Sequence, residues 1–237
     1  MTTKRLSKTK DHLNVISKAY DKTVDNFNEG IEDEDLLPDD FKNSERYKRF
    51  KKIISSNPNG SEDSQIFNYL NPKSGMKFLD VGSCANLICK KLHEWPSEYY
   101  GIDISPKLIK ASQNFVKRNN IKIGGLCVAE VAKMPFENNF FDICAVIGVL
   151  EYFDTTYIKK SLKELYRVIK SNGKIVVDMP NLEHPDCKTM IKLEGYLGRT
   201  RENIPSNEEF ETELKKLFSI EKVNSQIMTS YFARAKK

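Results

Sequence analysis

The chain has 237 residues, 39% hydrophobic and 30% charged, which suits one large folded domain and argues against a disordered chain. Its net charge of +5 is modest, and acidic and basic residues are interspersed, so charge alone does not indicate nucleic-acid binding. The five cysteines form no CxxC pair and no metal-like Cys/His cluster, which is typical of a reducing compartment. With no apolar stretch of about 18 residues and no apolar leader near the N-terminus, we expect a cytoplasmic protein without a membrane span and without a metal site.

The first 60 residues are predicted to form a polar, helical N-terminal extension. Apolar residues at helical spacing predict a helix from Asp11 to Phe27 and a second from Ser44 to Ile54. The acidic segment Glu29–Asp40 between them is predicted to be a loop. Tyr20, in the first helix, either belongs to a lid over a ligand or packs against the edge of the sheet.

From residue 63 onward, helical and strand-like segments alternate, which predicts a parallel sheet covered by helices on both faces. The predicted strands are Met76–Val81, Tyr99–Ile104, a part of Ile121–Ala129, Phe141–Ile147 and Lys174–Met179. The predicted helices are Asp63–Leu70, Asn86–Trp95, Ser105–Asn119 and Thr155–Lys170, the last capped by Ser171–Gly173.

The C-terminal part is predicted to end the sheet with an antiparallel pair. After a helix over Asn207–Phe218, two strand-like runs, Ser219–Ser225 and Ile227–Ala235, follow with no room for a helix between them. An irregular insertion over residues 181–205, with a short helical piece at Thr189–Tyr196, is predicted to form a cap. We therefore expect an extension over residues 1–60 and one α/β domain over 61–237.

Two residues at the ends of neighbouring predicted strands indicate a nucleoside-containing ligand. Gly82 follows the first strand, where a glycine lets the backbone approach a ligand closely. Asp103 ends the second strand, where a carboxylate can accept hydrogen bonds from both hydroxyls of a ribose. There is no G-x-G-x-x-G and no Walker lysine, so a dinucleotide or P-loop site is not expected. A sulfonium cofactor has no phosphate to hold and needs only a shorter glycine turn.

Four motifs occur in the order and spacing of a known family. They are Phe78-Leu79-Asp80-Val81-Gly82; Tyr100-Gly101-Ile102-Asp103-Ile104-Ser105; Ala129-Glu130 to Met134-Pro135-Phe136 with Phe141-Asp142; and Leu165 to Lys174. On these motifs the chain resembles the small-molecule, ubiquinone/menaquinone-biosynthesis-like branch of the class I S-adenosylmethionine-dependent methyltransferases, from about Ile66 through Asp178. The resemblance implies a Rossmann-like, seven-stranded, mostly parallel sheet with an antiparallel last strand, and S-adenosylmethionine as cofactor.

The resemblance also implies roles for individual residues. Asp103 would hold the ribose and Gly82 the methionyl part, and Asp80 would order the turn. Glu130 stands where the family has an Asp that accepts from the adenine amino group, and the carbonyl of Ile147 would lie near the amino end. The full set of residues expected at the cofactor is Tyr20, Asp80, Gly82, Ser83, Cys84, Asp103, Ile104, Glu130, Val131 and Ile147.

The turn after the first strand departs from the family pattern. Cys84 and Asn86 stand where the family usually has glycines. Asn86 could preserve the turn through a left-handed backbone, whereas Cys84 adds a side chain close to the cofactor. A descendant that binds the cofactor without catalysis therefore stays an alternative.

The candidates for a catalytic base are Glu151 and Tyr152 after the fourth strand and His184 after the fifth. Each has an ordinary alternative: a carboxylate at a helix start, a packed aromatic ring and a surface loop histidine. Such enzymes often need no strong base, because alignment of the acceptor with the methyl group supplies much of the rate.

The expected reaction is in-line methyl transfer to an N, O, S or C atom of a small molecule, by a monomer or homodimer. An RNA or protein methyltransferase is the second hypothesis. The run Arg46–Lys52 mixes basic and aromatic residues, but we interpret it as a solvated helix face. No N/D-P-P-Y/F tetrapeptide follows the fourth strand, so nucleic acid is not the expected partner.

Overall fold

The computed structural model describes residues 2–56, 60–83, 86–201 and 203–237. Its strands are β1 (Lys77–Val81), β2 (Glu98–Asp103), β3 (Gly125–Val128), β4 (Phe141–Val146), β5 (Ile169–Pro180), β6 (Phe218–Ser225) and β7 (Met228–Ala235). The described residues form one seven-stranded sheet in the order β3-β2-β1-β4-β5-β7-β6. Strands β1 to β5 pair in parallel, and β7 is antiparallel to both β5 and β6. The predicted sheet with its antiparallel last strand is confirmed.

Helices surround this sheet and precede it. They are α1 (Thr2–Asn28), α2 (Asp39–Lys42), α3 (Glu45–Ser56), α4 (Gly60–Leu70), α5 (Asn86–Cys89), α6 (Pro106–Arg118), α7 (Thr155–Val168), α8 (Cys187–Tyr196) and α9 (Asn207–Leu214). Short 3₁₀ turns occur at Asp33–Leu36, Leu92–Glu94 and Leu150–Tyr152. The predicted loop Glu29–Asp40 thus contains a 3₁₀ turn and the start of α2. In the described residues, no helix has the length and hydropathy needed to cross a bilayer.

The central strands are buried on both faces, because helices cover each side of the sheet. Along β1, Leu79 and Val81 pack into the larger apolar cluster, whereas Phe78 packs into the one on the opposite face. Strand β4 follows the same alternation, with Cys144 on one face and Ile143 on the other. This two-sided burial explains why these strands are apolar along their length.

The segment after β1 differs from the prediction of one helix over Asn86–Trp95. Helix α5 ends at Cys89, and Lys91 takes a left-handed backbone with φ of 50°. Trp95 leaves the helical path and stacks on Phe78, with 4.8 Å between the ring centroids. The apolar side chains are therefore buried without a continuous helix, and the helix prediction is wrong.

The boundary between α7 and β5 also differs from the prediction. The helix ends at Val168, and the strand begins at Ile169 rather than at Lys174. The pairing of β5 with β4 jumps from Ile169 to Lys174. Asn172 in this interval has a φ of 58°. The predicted turn therefore exists as an irregularity inside the strand and not as a cap of the helix.

The N-terminal region and the insertion pack against each other. A third apolar cluster joins Phe41 and Phe50 to Leu193 and Tyr196 of α8. Arg49 of α3 also donates to Asp186, just before α8, with an Nε–Oδ1 distance of 3.0 Å. The division of the chain near residue 60 stays a prediction.

Candidate functional site

A cavity of about 280 Å³ lies at the carboxyl ends of β1, β2 and β4. Nine residues that the sequence singled out line it: Tyr20, Gly82, Asn86, Asp103, Ile104, Val131, Ile147, Glu151 and Tyr152. The carboxyl ends of neighbouring parallel strands meet at one edge of the sheet, and there such sheets bind their ligands. Helix α1 and helix α8 complete the wall through Ile16 and Glu194.

Two glycines with left-handed backbones form the floor of the cavity. Gly82 follows β1 and Gly148 follows β4, and both have a φ of 68°. A Cβ on Gly82 would lie 2.4 Å from Cγ2 of Val149, so the turn has no room for a side chain. The Gly148 N–H donates to Asp178 at 2.8 Å. The turn expected at Gly82 therefore exists, and it leaves backbone open to a ligand.

Asp103 stands at the end of β2, buried at the cavity wall. Its Oδ1 accepts from the N–H of Ser105 at 2.8 Å. Ser105 in turn caps α6, because its hydroxyl accepts from the Leu108 N–H at 3.0 Å. These bonds fix the position of the Asp103 carboxyl group at the cavity wall.

Asp80 lies beneath the turn, outside the lining of the cavity. Its carboxyl accepts from the Tyr99 hydroxyl at 2.8 Å and faces Asn86 Nδ2 at 3.4 Å. Burial raises the pKa of Asp80 to about 7, although the bonds from Tyr99 and Asn86 act to lower it. Asp80 is thus placed to order the turn from below.

The predictions for the other residues of this turn are met to different degrees. Ser83 is buried behind the cavity, and its N–H donates to the carbonyl of Ile102 at 2.9 Å. Asn86 is the first residue of α5, without a positive φ, so the expectation of a left-handed backbone there is wrong. Its backbone N–H donates to the carbonyl of Ser83 at 2.8 Å, and its side chain faces Asp80, so both contribute to the turn. Cys84 lies outside the described residues.

The adenine end expected from the sequence is apolar. Ile104, just after β2, and Val131, just after β3, line the cavity. Glu130 faces a neighbouring groove that shares Ile104 and Tyr157 with the cavity. Its Oε2 accepts from the Tyr157 hydroxyl at 3.2 Å. Glu130 therefore lies at the rim between the two and not inside the cavity.

The opposite end of the cavity is polar and aromatic. The Tyr20 and Tyr152 hydroxyls lie 3.0 Å apart, and the Tyr152 hydroxyl donates to Glu194 at 3.2 Å. Glu151 is buried and accepts from Arg201 Nε at 3.1 Å and from Arg201 Nη2. Burial raises the pKa of Glu151, and the charge of Arg201 acts in the opposite direction.

His184 lies away from this end. Its Nδ1 accepts from the N–H of Asp186 at 3.2 Å in the loop before α8, and it is not among the residues that line the cavity. Among the described residues, the structure therefore brings Glu151 and Tyr152 to the cavity and leaves His184 outside.

The sequence reasoning missed three residues at the polar end: Glu194, Arg199 and Arg201. Arg199 pairs with Glu194 at 3.3 Å, and its guanidinium lies 4.7 Å from the centroid of the Tyr20 ring. Both arginines and Glu194 belong to the predicted cap insertion, far along the chain from Glu151. In the sequence, the signal for them was two arginines that follow a helix with a carboxylate. The same pattern is typical of a solvated surface.

Known proteins are similar to this chain over its central part. Residues 79–177 match the family model of a methyltransferase domain. The demethylmenaquinone methyltransferase of Anoxybacillus flavithermus is 30% identical over 137 residues, 56% of this chain and 56% of that relative. The sterol 4-C-methyltransferase of Caenorhabditis elegans is 30% identical over 132 residues, 51% of this chain and 38% of the relative. The chain thus spans about half or less of the length of these curated relatives.

Solved structures share the fold at lower identity. A S-adenosylmethionine-dependent methyltransferase from Methanosarcina mazei is 18% identical with a TM-score of 0.57, covering 72% of this chain and 96% of that one. The geranyl diphosphate C-methyltransferase from Streptomyces coelicolor, solved with S-adenosylhomocysteine, is 11% identical with a TM-score of 0.62, covering 81% and 85%. Residues 79–177 are thus similar to a methyltransferase domain, and the described residues share the fold of these solved structures, with a cavity at the strand ends.

Proposed function

We propose that this chain transfers the methyl group of S-adenosylmethionine to a small molecule bound at the polar and aromatic end of the cavity. The observation that carries the proposal is that one cavity joins Gly82 and Asp103 to Glu151, Tyr152 and Tyr20. The first two suit a nucleoside cofactor, and the other three would face its reactive end. When bound, S-adenosylmethionine supplies a methyl group activated by a positively charged sulfur.

The roles proposed for the cofactor residues follow from their positions. Asp103 would accept hydrogen bonds from the ribose hydroxyls, since its carboxyl group is buried and held at the wall. Ile104 and Val131 would contact the adenine ring, and the carbonyl of Ile147 would face the methionyl amino group. Asp80 would act through Asn86 and Tyr99 and not by direct contact.

The size and cover of the cavity support a small acceptor. Side chains from α1 and α8, Ile16, Tyr20 and Glu194, close over a space of about 280 Å³. Closure around a small acceptor excludes water and orients the nucleophile, which supplies much of the rate in such transfers. A polymer substrate would need a groove open enough to pass a strand or peptide.

Calorimetry on the purified chain tests the cofactor half of the proposal. We expect S-adenosylhomocysteine to bind, and Asp103→Ala to weaken binding at least about tenfold, because hydrogen bonds to a charged group contribute about 1.5–3 kcal/mol. Asp40→Ala, which removes an exposed carboxylate on α2, is the matched control. Absence of binding by the unaltered chain would refute the assignment of the cavity.

The acceptor half of the proposal is tested with S-adenosylmethionine that carries an isotope label in its methyl group. The chain and this cofactor are incubated with three separate cell fractions: dialysable metabolites, RNA and protein. The proposal expects label to enter the metabolite fraction and the unlabelled product S-adenosylhomocysteine to form with it. Label in RNA or protein alone would support the second hypothesis from the sequence instead.

A further inference from the structure

Two carboxylates line the acceptor end of the cavity, and their arginine partners stand behind them. Glu151 and Glu194 belong to the lining, whereas Arg199 and Arg201 do not. The side chain of Arg201 is only 4% exposed and that of Glu151 is 7% exposed. A molecule in the cavity therefore meets carboxylates before it meets guanidinium groups.

Each of the two lining carboxylates has an arginine partner outside the lining. Arg199 also pairs at 3.2 Å with Asp33, whose side chain is 46% exposed, so three carboxylates share two guanidinium groups. Of the described residues that line the cavity, none is a lysine, arginine or histidine. An anionic group placed here would be desolvated next to carboxylates, which costs several kcal/mol.

Four aromatic side chains also line this cavity. Tyr20, Tyr152, Phe153 and Tyr157 line the cavity together with Glu151 and Glu194. Ring faces and carboxylates are the two groups that bind a cationic amine in a dry pocket. The hydroxyl of Tyr152, which donates to Glu194, adds an oxygen that can accept from an N–H.

We propose that the methyl acceptor is a small amine with an apolar body, whose nitrogen lies between Tyr152, Glu194 and Glu151. This inference rests on the proposed function and narrows its acceptor to one class. It distinguishes the chain from a neighbour of the same fold that acts on geranyl diphosphate, an anion.

The same residues provide a place for the proton that an amine must lose. An ammonium group gives one proton to the carboxylate of Glu194, directly or through the Tyr152 hydroxyl. The nitrogen lone pair then forms the bond to the methyl carbon, and the electron pair of the broken carbon–sulfur bond stays on sulfur. The products are the N-methylammonium compound, S-adenosylhomocysteine and the proton held by Glu194.

Two buried arginine nitrogens favour an acidic acceptor instead. Nε of Arg199 and Nη1 of Arg201 have no hydrogen-bond partner among the described residues, and an acidic acceptor could supply one. Arg201 is outside the lining, however, and its Nε and Nη2 are directed at Glu151. The test therefore includes an acid with the same apolar body.

The test compares three ligands with one phenyl body and different head groups: phenethylamine, 2-phenylethanol and phenylacetate. Each is titrated by calorimetry into the chain saturated with S-adenosylhomocysteine. We expect phenethylamine to bind at least about tenfold more tightly than the other two, the effect of one charge-assisted contact. Equal binding of the three, tighter binding of the alcohol or the acid, or no binding of the amine overturns the inference.

Two glutamate variants test which residue causes the preference for phenethylamine. Glu194→Gln should remove most of the preference for phenethylamine and leave the affinity for S-adenosylhomocysteine within about twofold. Glu183→Gln, an exposed carboxylate on the same insertion, should change neither affinity. If Glu194→Gln weakens S-adenosylhomocysteine instead, the carboxylate serves the cofactor and the inference fails.

The two proposals fail separately. If S-adenosylhomocysteine does not bind, the proposed function fails before any amine is tested. If it binds and the amine has no advantage, only the acceptor class is wrong. Should Glu194→Gln not fold, as judged by its thermal unfolding, the three-ligand comparison on the unaltered chain still decides.

Discussion

At the scale of single residues, Asp80 is almost fully buried and lies directly under the turn at Gly82. Burial raises its pKa from 3.8 to about 7, so the folded chain keeps a proton that the unfolded chain has already lost. Ionisation in this range therefore favours the unfolded state. The stability that this group contributes is complete below pH 3.8 and is lost as the pH rises through about 7.

Asp80→Asn tests this pH dependence, because asparagine is isosteric with the protonated acid and its Oδ1 can accept the Tyr99 hydroxyl. We expect the unfolding free energy of the unaltered chain to fall more steeply between pH 3.8 and about 7 than that of the variant. Urea unfolding at a series of pH values measures both curves. Parallel curves would show that Asp80 does not titrate in this range.

Residue-scale reasoning from the sequence succeeded where a position follows directly from strand order. The position of Gly82 and Asp103 at one cavity could be predicted because the ends of parallel strands converge at one edge. The prediction that Asn86 takes a left-handed backbone is wrong, and its side chain faces Asp80 instead. A substitution for glycine can preserve a turn by more than one route, and the sequence does not say which.

At the scale of elements, α1 is joined to the sheet next to the end of the cavity that Asp103 lines. The Ser17 hydroxyl donates to the carbonyl of Ile104 at 2.8 Å. Asp21 accepts from the Ser105 hydroxyl at 2.5 Å and from the Lys107 N–H at 3.1 Å, at the first turn of α6. A carboxylate at a helix N-terminus is stabilised by the partial positive charge there.

Asp21→Ala removes this attachment, and we expect α1 to open more often. Loss of about 1 kcal/mol would speed amide hydrogen exchange in the middle of α1 by about fivefold. Hydrogen exchange followed by mass spectrometry measures the change, with Asp11→Ala, an exposed carboxylate on the same helix, as control. Equal exchange in both variants would mean that other contacts hold the helix.

Helices and strands were predicted best where an apolar pattern is compatible with a single secondary structure. Strands β1 and β4 are apolar because helices cover both faces, and their prediction needed no further information. The segment from Leu87 to Trp95 has helical spacing too, yet Lys91 breaks it and Trp95 stacks on Phe78. Apolar spacing indicates which side chains become buried, but a short irregular segment can bury the same side chains.

At the scale of the whole molecule, the candidate site is assembled from regions far apart in sequence. Tyr20, Asp103, Glu151 and Glu194 come from α1, β2, the segment after β4 and α8. The contributions of the strands could be predicted, because topology determines where strands end. The contribution of the insertion could not, since no spacing rule relates Glu151 to Arg201.

The ion pair of Glu151 and Arg201 joins the insertion to the central sheet, and both side chains are almost fully buried. Arg201→Met should destabilise the chain by about 3–5 kcal/mol, because it leaves a buried carboxylate without its partner. The double variant Glu151→Gln/Arg201→Met should recover much of this loss, since no charge stays buried. Urea unfolding of all three proteins measures the differences, with Lys215→Met, which breaks an exposed pair with Glu211, expected to change stability by less than about 1 kcal/mol. An Arg201→Met variant as stable as the unaltered chain would show that Glu151 is neutral or solvated in the folded state, and that the insertion is held without this ion pair.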